Sequence, residues 1–182
     1  MNKPELSIVI PCHNEEGNLA PLVESIDKAL TPLAIEYEVI ITDDRSKDGT
    51  WQVLQRLAAS QPRVIGQRMR HNRGQSAASW AGMKIARGRY IVTMDADRQN
   101  DPADLPKFVE ALKQAEQLDV LAKQKKFKGP LHGIPLAVKD NLDTKDIRTT
   151  GGSKILASWI PPTNAHVINK LQKAGAIVLG KT

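Results

Sequence analysis

A three-layer α/β fold around a mostly parallel sheet is predicted by two features of this 182-residue chain. Short apolar runs rich in β-branched residues alternate four times with helical stripes, an order that favours right-handed parallel crossovers. Polar clusters follow the first, second and fourth runs (Pro11 to Glu16, Asp43 to Thr50, Asp95 to Asn100), at the strand ends where such sheets hold ligands.

Leu6-Ser7-Ile8-Val9-Ile10, ended by Pro11, reads as a buried strand. Residues 15–30 then place Leu19, Leu22, Val23, Ile26 and Leu30 on one helical face. Tyr37 to Thr42 is a second strand and Thr50 to Ser60 a second helix, with Asp48-Gly49 as the turn between them. Val64 to Gln67 is a short third strand, Gly74 to Ala86 a third helix with many small residues, and Arg89 to Met94 a fourth strand. Pro102 to about Gln124 is helical, with Pro106 tolerable only in its first turn. Beyond it come a strand Ile134 to Val138, a loop-rich stretch Asp143 to Pro162, a helix Ala165 to Ala174 closed by Gly175, and a last strand Ala176 to Leu179. No internal repeat or low-complexity segment interrupts the pattern.

Hydrophobic content of 41% and charged content of 25% suit a soluble globular protein, and with aromatics at 4% the core must be Val, Ile, Leu and Ala. The lone Cys12 excludes an internal disulfide and fits a reducing, cytoplasmic setting. No apolar run approaches the roughly 20 residues that span a bilayer, and the N-terminus lacks a signal-peptide hydrophobic region, so no transmembrane segment is expected. The net charge of +6 is uneven: residues 1–115 hold 15 Lys/Arg against 15 Asp/Glu, and residues 116–182 hold 11 against 5. Without aromatic–basic interleaving, Lys123, Lys125, Lys126 and Lys128 read as a solvated face, and no nucleic-acid partner is expected. The charge step does coincide with a change of character that divides the chain into residues 1–114 and 115–182.

Asp95-Ala96-Asp97 directly follows an apolar strand, where two carboxylates can meet a hard cation bridging nucleotide phosphates. An Asp-x-Asp triplet is a weak signal by itself. Here it follows Ser7 to Glu16, Asp43-Asp-Arg-Ser-Lys-Asp-Gly-Thr50 and Asn72-Arg-Gly-Gln-Ser-Ala77 in order. Together, over about residues 5–113, these motifs closely resemble the family-2 glycosyltransferases of the dolichyl- or polyprenyl-phosphate branch. The resemblance implies a nucleotide-diphospho-sugar transferase fold, a UDP- or GDP-linked sugar, Mg²⁺ or Mn²⁺, inverting transfer and a polyprenyl-phosphate acceptor. It implies further that Pro11, Asn14 and Glu15 line the nucleotide pocket and that Asp43 and Asp44 contact base or ribose. Asp95 and Asp97 would approach the metal and diphosphate, with Gln99 completing the coordination. Asp48 to Thr50 suit either ligand contact or a turn with a helix cap. Arg70 and Arg73 suit phosphate contact or plain solvation, and His13 and His71 suit turn or surface roles. Nothing in residues 116–182 resembles the acceptor side of that family, so donor binding is expected and transfer is not.

The remainder resembles a different family. Lys128-Gly-Pro-Leu-His-Gly-Ile-Pro-Leu-Ala-Val-Lys-Asp-Asn141, Thr149-Thr-Gly-Gly-Ser153 and Asn164 to Thr182 look like the amidase signature family from about Ala115 onward. There a lysine, matched by Lys139, activates a bridging serine and through it a nucleophilic serine. The segment bearing both serines comes later in that family, and Ser153 and Ser158 do not occupy those positions, so amidase activity is not expected. The segment is expected to complete the fold as strand, loop, helix and strand, packed into one shared core. His132 and His166 read as loop and helix-surface residues. Gly175 to Thr182 satisfies the phosphate-loop spacing G-x-x-x-x-G-K-[ST], but its intervening residues read as an apolar strand with no helix after it. A donor-binding, glycosyltransferase-like protein is therefore the leading expectation; a recombined α/β fold without catalysis is the alternative, and an amidase component that borrows serines from a partner is a third. An unpaired sheet edge would also invite a homodimer.

Overall fold

Leu6, Ile8, Val9 and Ile10 extend because β-branched and long aliphatic side chains pack well on a pleated surface, and all four are at most 1% exposed. In the computed structural model, which describes residues 3–98 and 100–182, they form β1 (Leu6–Cys12). It is followed by α1 (Leu19–Leu30), β2 (Tyr37–Asp43), α2 (Thr50–Ser60), β3 (Val64–Arg68), α3 (Gln75–Ile85) and β4 (Tyr90–Thr93). The four strands lie in the order β3-β2-β1-β4, every pair parallel, with Val9 beside Ile40 and Thr93 and with Cys12 beside Asp43.

Period-two alternation of side chains sends neighbouring residues to opposite faces of this sheet. A Cβ on Gly82 of α3 would meet Val9, Thr42 and Ile40, which share one face. A Cβ on Gly66 would meet Leu54 of α2, so α2 covers the other face, with α1 packed beside it. Helices thus lie on both sides of the sheet, as expected for three layers. The sequence-predicted helix over residues 15–30 begins four residues late, at Leu19, because Glu15 to Asn18 form a turn joined to the loop after β2. Where α3 leads into β4, Ser7 Oγ donates to Glu38 and accepts from the backbone N–H of Gly88. A Cβ on Gly88 would lie 2.6 Å from that same hydroxyl.

The chain divides into two compact units, residues 1–105 and 106–182; the change of sequence character expected at residue 115 lies within α4 (Leu105–Lys123). The expected long helix is also split. Pro102–Asp104 form a separate 3₁₀ turn capped by Asp101, which leaves Pro106 in the first turn of α4. In the second unit, β5 (Pro135–Val138) and β6 (Ile177–Lys181) pair parallel with each other around α5 (His166–Lys173) in chain order. These two strands make their own two-stranded sheet. Their apolar residues have local partners: Ile177 packs with Ala111 and Leu118 of α4, flanked by Ala115, Leu121 and Leu179. Among the described residues no helix is long and apolar enough to cross a membrane.

Candidate functional site

The carboxyl ends of β1, β2 and β4 open onto one cavity of about 240 Å³. Pro11, Cys12, His13 and Glu15 line it from the β1 end, and Asp44 from the β2 end. Asp95, Ala96 and Asp97 close it beyond β4, while Gln75 and Ala78 of α3 form its wall. Asp44 is therefore brought together with Asp95 and Asp97, which lie far from it along the chain.

Asp44 is 3% exposed, and its two carboxylate oxygens accept hydrogen bonds from the backbone N–H groups of Arg73 (2.8 Å) and Gly74 (2.7 Å). Those two amides belong to the turn that starts α3, where Gly74 holds φ at +84°, a region that favours glycine. The carboxylate thereby fixes the N-terminus of α3 against the end of β2. Asp95 is oriented by a 2.6 Å hydrogen bond from Gln75 Nε2, and its own N–H donates to Asn100 Oδ1. Sequence reasoning gave Gln75 no role of its own, although it stands in the motif Asn72 to Ala77. Its signal is its place directly after a glycine at a helix start.

Asp43 and Asn14 stand elsewhere. The side chain of Asp43 is fully buried; one oxygen accepts from Ser46 N (2.9 Å), and the other meets Arg68 Nε at 2.8 Å. Arg68 also lies over Trp51 of α2 at 5.5 Å. Asn14 has φ +59° and trades hydrogen bonds with the loop after β2, its N–H donating to Ser46 and its Oδ1 accepting from Lys47 N–H. Neither residue lines the cavity. Glu15 does, while its N–H donates to Thr50 Oγ1 (2.7 Å). Gln99 falls outside the described residues. Asp48 accepts from the N–H and hydroxyl of Thr50, which makes it the turn residue that leads into α2, whose N-cap position is Gly49. Arg70, His71 and Arg73 have exposed side chains away from the cavity. His13, read from the sequence as a turn or surface residue, reaches the cavity wall with Nδ1 near Asp44 O (3.1 Å) and Asn72 Nδ2 (3.2 Å). Burial, reinforced by the Asp43 and Glu15 carboxylates, pushes the Cys12 thiol up to about 12, so it sits beneath the cavity as a neutral group.

Among the described residues no group of three or more His, Cys, Asp or Glu is arranged to hold a metal alone. The pair Asp95 and Asp97 offers hard oxygen donors of the kind that hold Mg²⁺ or Mn²⁺ by one or two carboxylates, with substrate phosphate completing the shell. The donor set fits such an ion.

In the second unit Lys139 directly follows β5 and is exposed to solvent. Lys181 there is half-buried and donates to Leu142 O and to Thr149 Oγ1 (2.5 Å). Burial holds its ammonium below the usual range, against the opposing pull of Asp140. Lys181 belongs to the stretch with phosphate-loop spacing, and that stretch is strand β6. Ser153 caps the 3₁₀ turn Lys154–Leu156 by accepting from Ile155 N–H, and Ser158 is exposed.

A parallel sheet covered on both faces, with acidic groups converging on a cavity at its carboxyl end, defines an α/β protein with a candidate ligand site where such sheets hold ligands. The sequence profile of "Glycosyl transferase family 2" matches residues 7–168, and the chain belongs to that family. Over 110 residues it is 40% identical to undecaprenyl-phosphate 4-deoxy-4-formamido-L-arabinose transferase of Aeromonas hydrophila, covering 60% of this chain and 34% of the relative. A mannosyltransferase from Pyrobaculum calidifontis, solved with GDP-Man and Mn²⁺, shares the fold with a TM-score of 0.53 at 24% identity. That alignment covers 76% of this chain and 36% of the other. A separate 72-residue segment is 57% identical to a component of the glutamyl-tRNA(Gln) amidotransferase of Dehalococcoides mccartyi, covering 40% of this chain and 15% of the relative. The chain thus joins segments similar to two different families, and it spans about a third of the length of the transferase relatives it matches.

Proposed function

We propose that the first unit binds a nucleotide-diphospho-sugar, UDP- or GDP-linked, together with Mg²⁺ or Mn²⁺. The observation that carries this is the convergence of Asp44, Asp95 and Asp97 on one cavity at the carboxyl end of the sheet. Asp95, aimed by Gln75, and Asp97 would hold the cation, which when bound would screen the charge on a departing diphosphate. Pro11, His13 and Glu15 would wall the nucleotide, and Asp44 would shape the site by fixing the start of α3. A polyprenyl-phosphate acceptor belongs to the same proposal, supported by the lipid-phosphate name of the relative. For the second unit we propose a structural role: Lys139 is exposed, Ser153 is engaged in capping a 3₁₀ turn and Ser158 is exposed.

Titration calorimetry with UDP- and GDP-sugars in the presence of Mn²⁺ tests the proposal. Binding should weaken at least about tenfold in Asp97→Ala, as loss of a charged ligand to the cation implies, and equal affinity in both proteins would overturn it. Thermal unfolding offers a second check, because a ligand at about 100 times its Kd stabilises by about 2.7 kcal/mol. A transition unmoved by nucleotide and metal would favour a folded α/β scaffold with no donor site.

A further inference from the structure

A second cavity, of about 500 Å³, opens beside the first and shares Pro11, Gln75 and Asp95 with it. Ser76, Ser79, Trp80 and Met83 line it from α3, and Thr93 from β4. On a helix, residues three, four and seven positions apart fall on one face, so the α3 side chains form a single stripe. With Thr93, the lining mixes three hydroxyls with a thioether and an indole. Trp80 is 60% exposed, a large apolar ring left in water in a chain with few aromatics. Lys84 Nζ lies 5.5 Å from the indole centroid and helps hold its orientation.

A pyranose ring matches that mixture. It has an apolar C–H face that suits an indole and hydroxyls that suit serine, threonine, carboxamide and carboxylate groups. Ser79 Oγ donates to Gln75 O, which leaves its lone pairs available to accept from a sugar hydroxyl. From Gln75, which touches Asp95, to Trp80 is five residues, about 7.5 Å along the helix axis at about 1.5 Å per residue. A group attached to a phosphate near Asp95 therefore falls within reach of the stripe.

We infer that this cavity seats the glycosyl ring of the donor, with Trp80 as its stacking platform and a determinant of sugar preference. The inference rests on the nucleotide-sugar reading of the neighbouring cavity, and the experiment separates the two. Affinities for UDP, UDP-glucose, GDP and GDP-mannose with Mn²⁺ are measured on the parent, Trp80→Ala and Trp80→Phe. Free diphosphates should bind all three proteins within about twofold, since Trp80 lies outside the first cavity. The ratio of sugar-conjugate to free-diphosphate affinity should fall roughly fivefold in Trp80→Ala, in line with the usual worth of an aromatic contact, and recover in Trp80→Phe. An unchanged ratio in Trp80→Ala, with diphosphates still bound, would overturn the glycosyl seat alone. If no diphosphate binds the parent, the nucleotide site falls, and this inference with it.

Discussion

Replacing Asp44 tests whether its carboxylate builds the site or merely borders it. Each hydrogen bond to a charged acceptor contributes about 1.5–3 kcal/mol, and Asp44 accepts two, from the backbone N–H groups of Arg73 and Gly74. Arg73 and Gly74 are exposed as residues, so water can reach part of what the mutation uncovers, and the low end applies. Asp44→Ala should therefore cost about 3 kcal/mol, a fall on the order of 10–20 °C in the melting of a unit this size. Asp44→Asn should do no better, because its amide NH₂ would face one of the two N–H donors. Urea unfolding, followed by Trp51 and Trp80 fluorescence in a Trp159→Phe background, reads the first unit alone. A cost below about 1 kcal/mol for Ala, or full stability with Asn, would refute the reasoning.

The acid limb of stability should depend on Glu38. Burial pushes its carboxyl up, but the Ser7 hydroxyl, the Arg87 N–H and the Arg87 guanidinium together hold it below the ordinary range. A depressed folded value means stabilisation that is complete above the unfolded carboxylate value near about 4.3 and lost as pH falls through the folded one. Glu38→Gln should flatten that acid limb, and an unchanged slope would contradict the account. Gly82→Ala would place a methyl 2.6 Å from Val9 Cγ1, an overpacking that should cost about 1–3 kcal/mol by denaturation and be relieved by adding Val9→Ala. Cys12, 4% exposed with its thiol at about 12, should resist maleimide in the native protein and react on unfolding; rapid native labelling, read by mass spectrometry, would count against this placement.

Much of the first unit was legible because its signals are local. The β-branched runs around Ile8 and Ile40 and the stripe Leu19, Leu22, Val23, Ile26 and Leu30 state their own periodicity, and those five helical residues are all fully buried. The positions of Asp44, Asp95 and Asp97 just past strand ends were equally readable. Helix starts were less so, since Glu15 and Glu16 are held out of α1 by contacts with residues more than thirty positions away. The tail strands were visible as strands, but their partner was not. Parallel strands of similar composition carry no local mark of which sheet they join.

What the sequence determined by itself is the order of strands and helices, the acidic strand ends and the seam between two ancestries, because each is written in neighbouring residues. Only the tertiary structure decided between Asp43 and Asp44. Adjacent in the chain, they turn to opposite sides of the sheet. Asp43 goes toward Arg68 and α2, while Asp44 goes toward the start of α3 and the cavity. Which residue lines the cavity and which forms an ion pair depends on partners 25 to 30 residues further along the chain, and no local pattern encodes that distance.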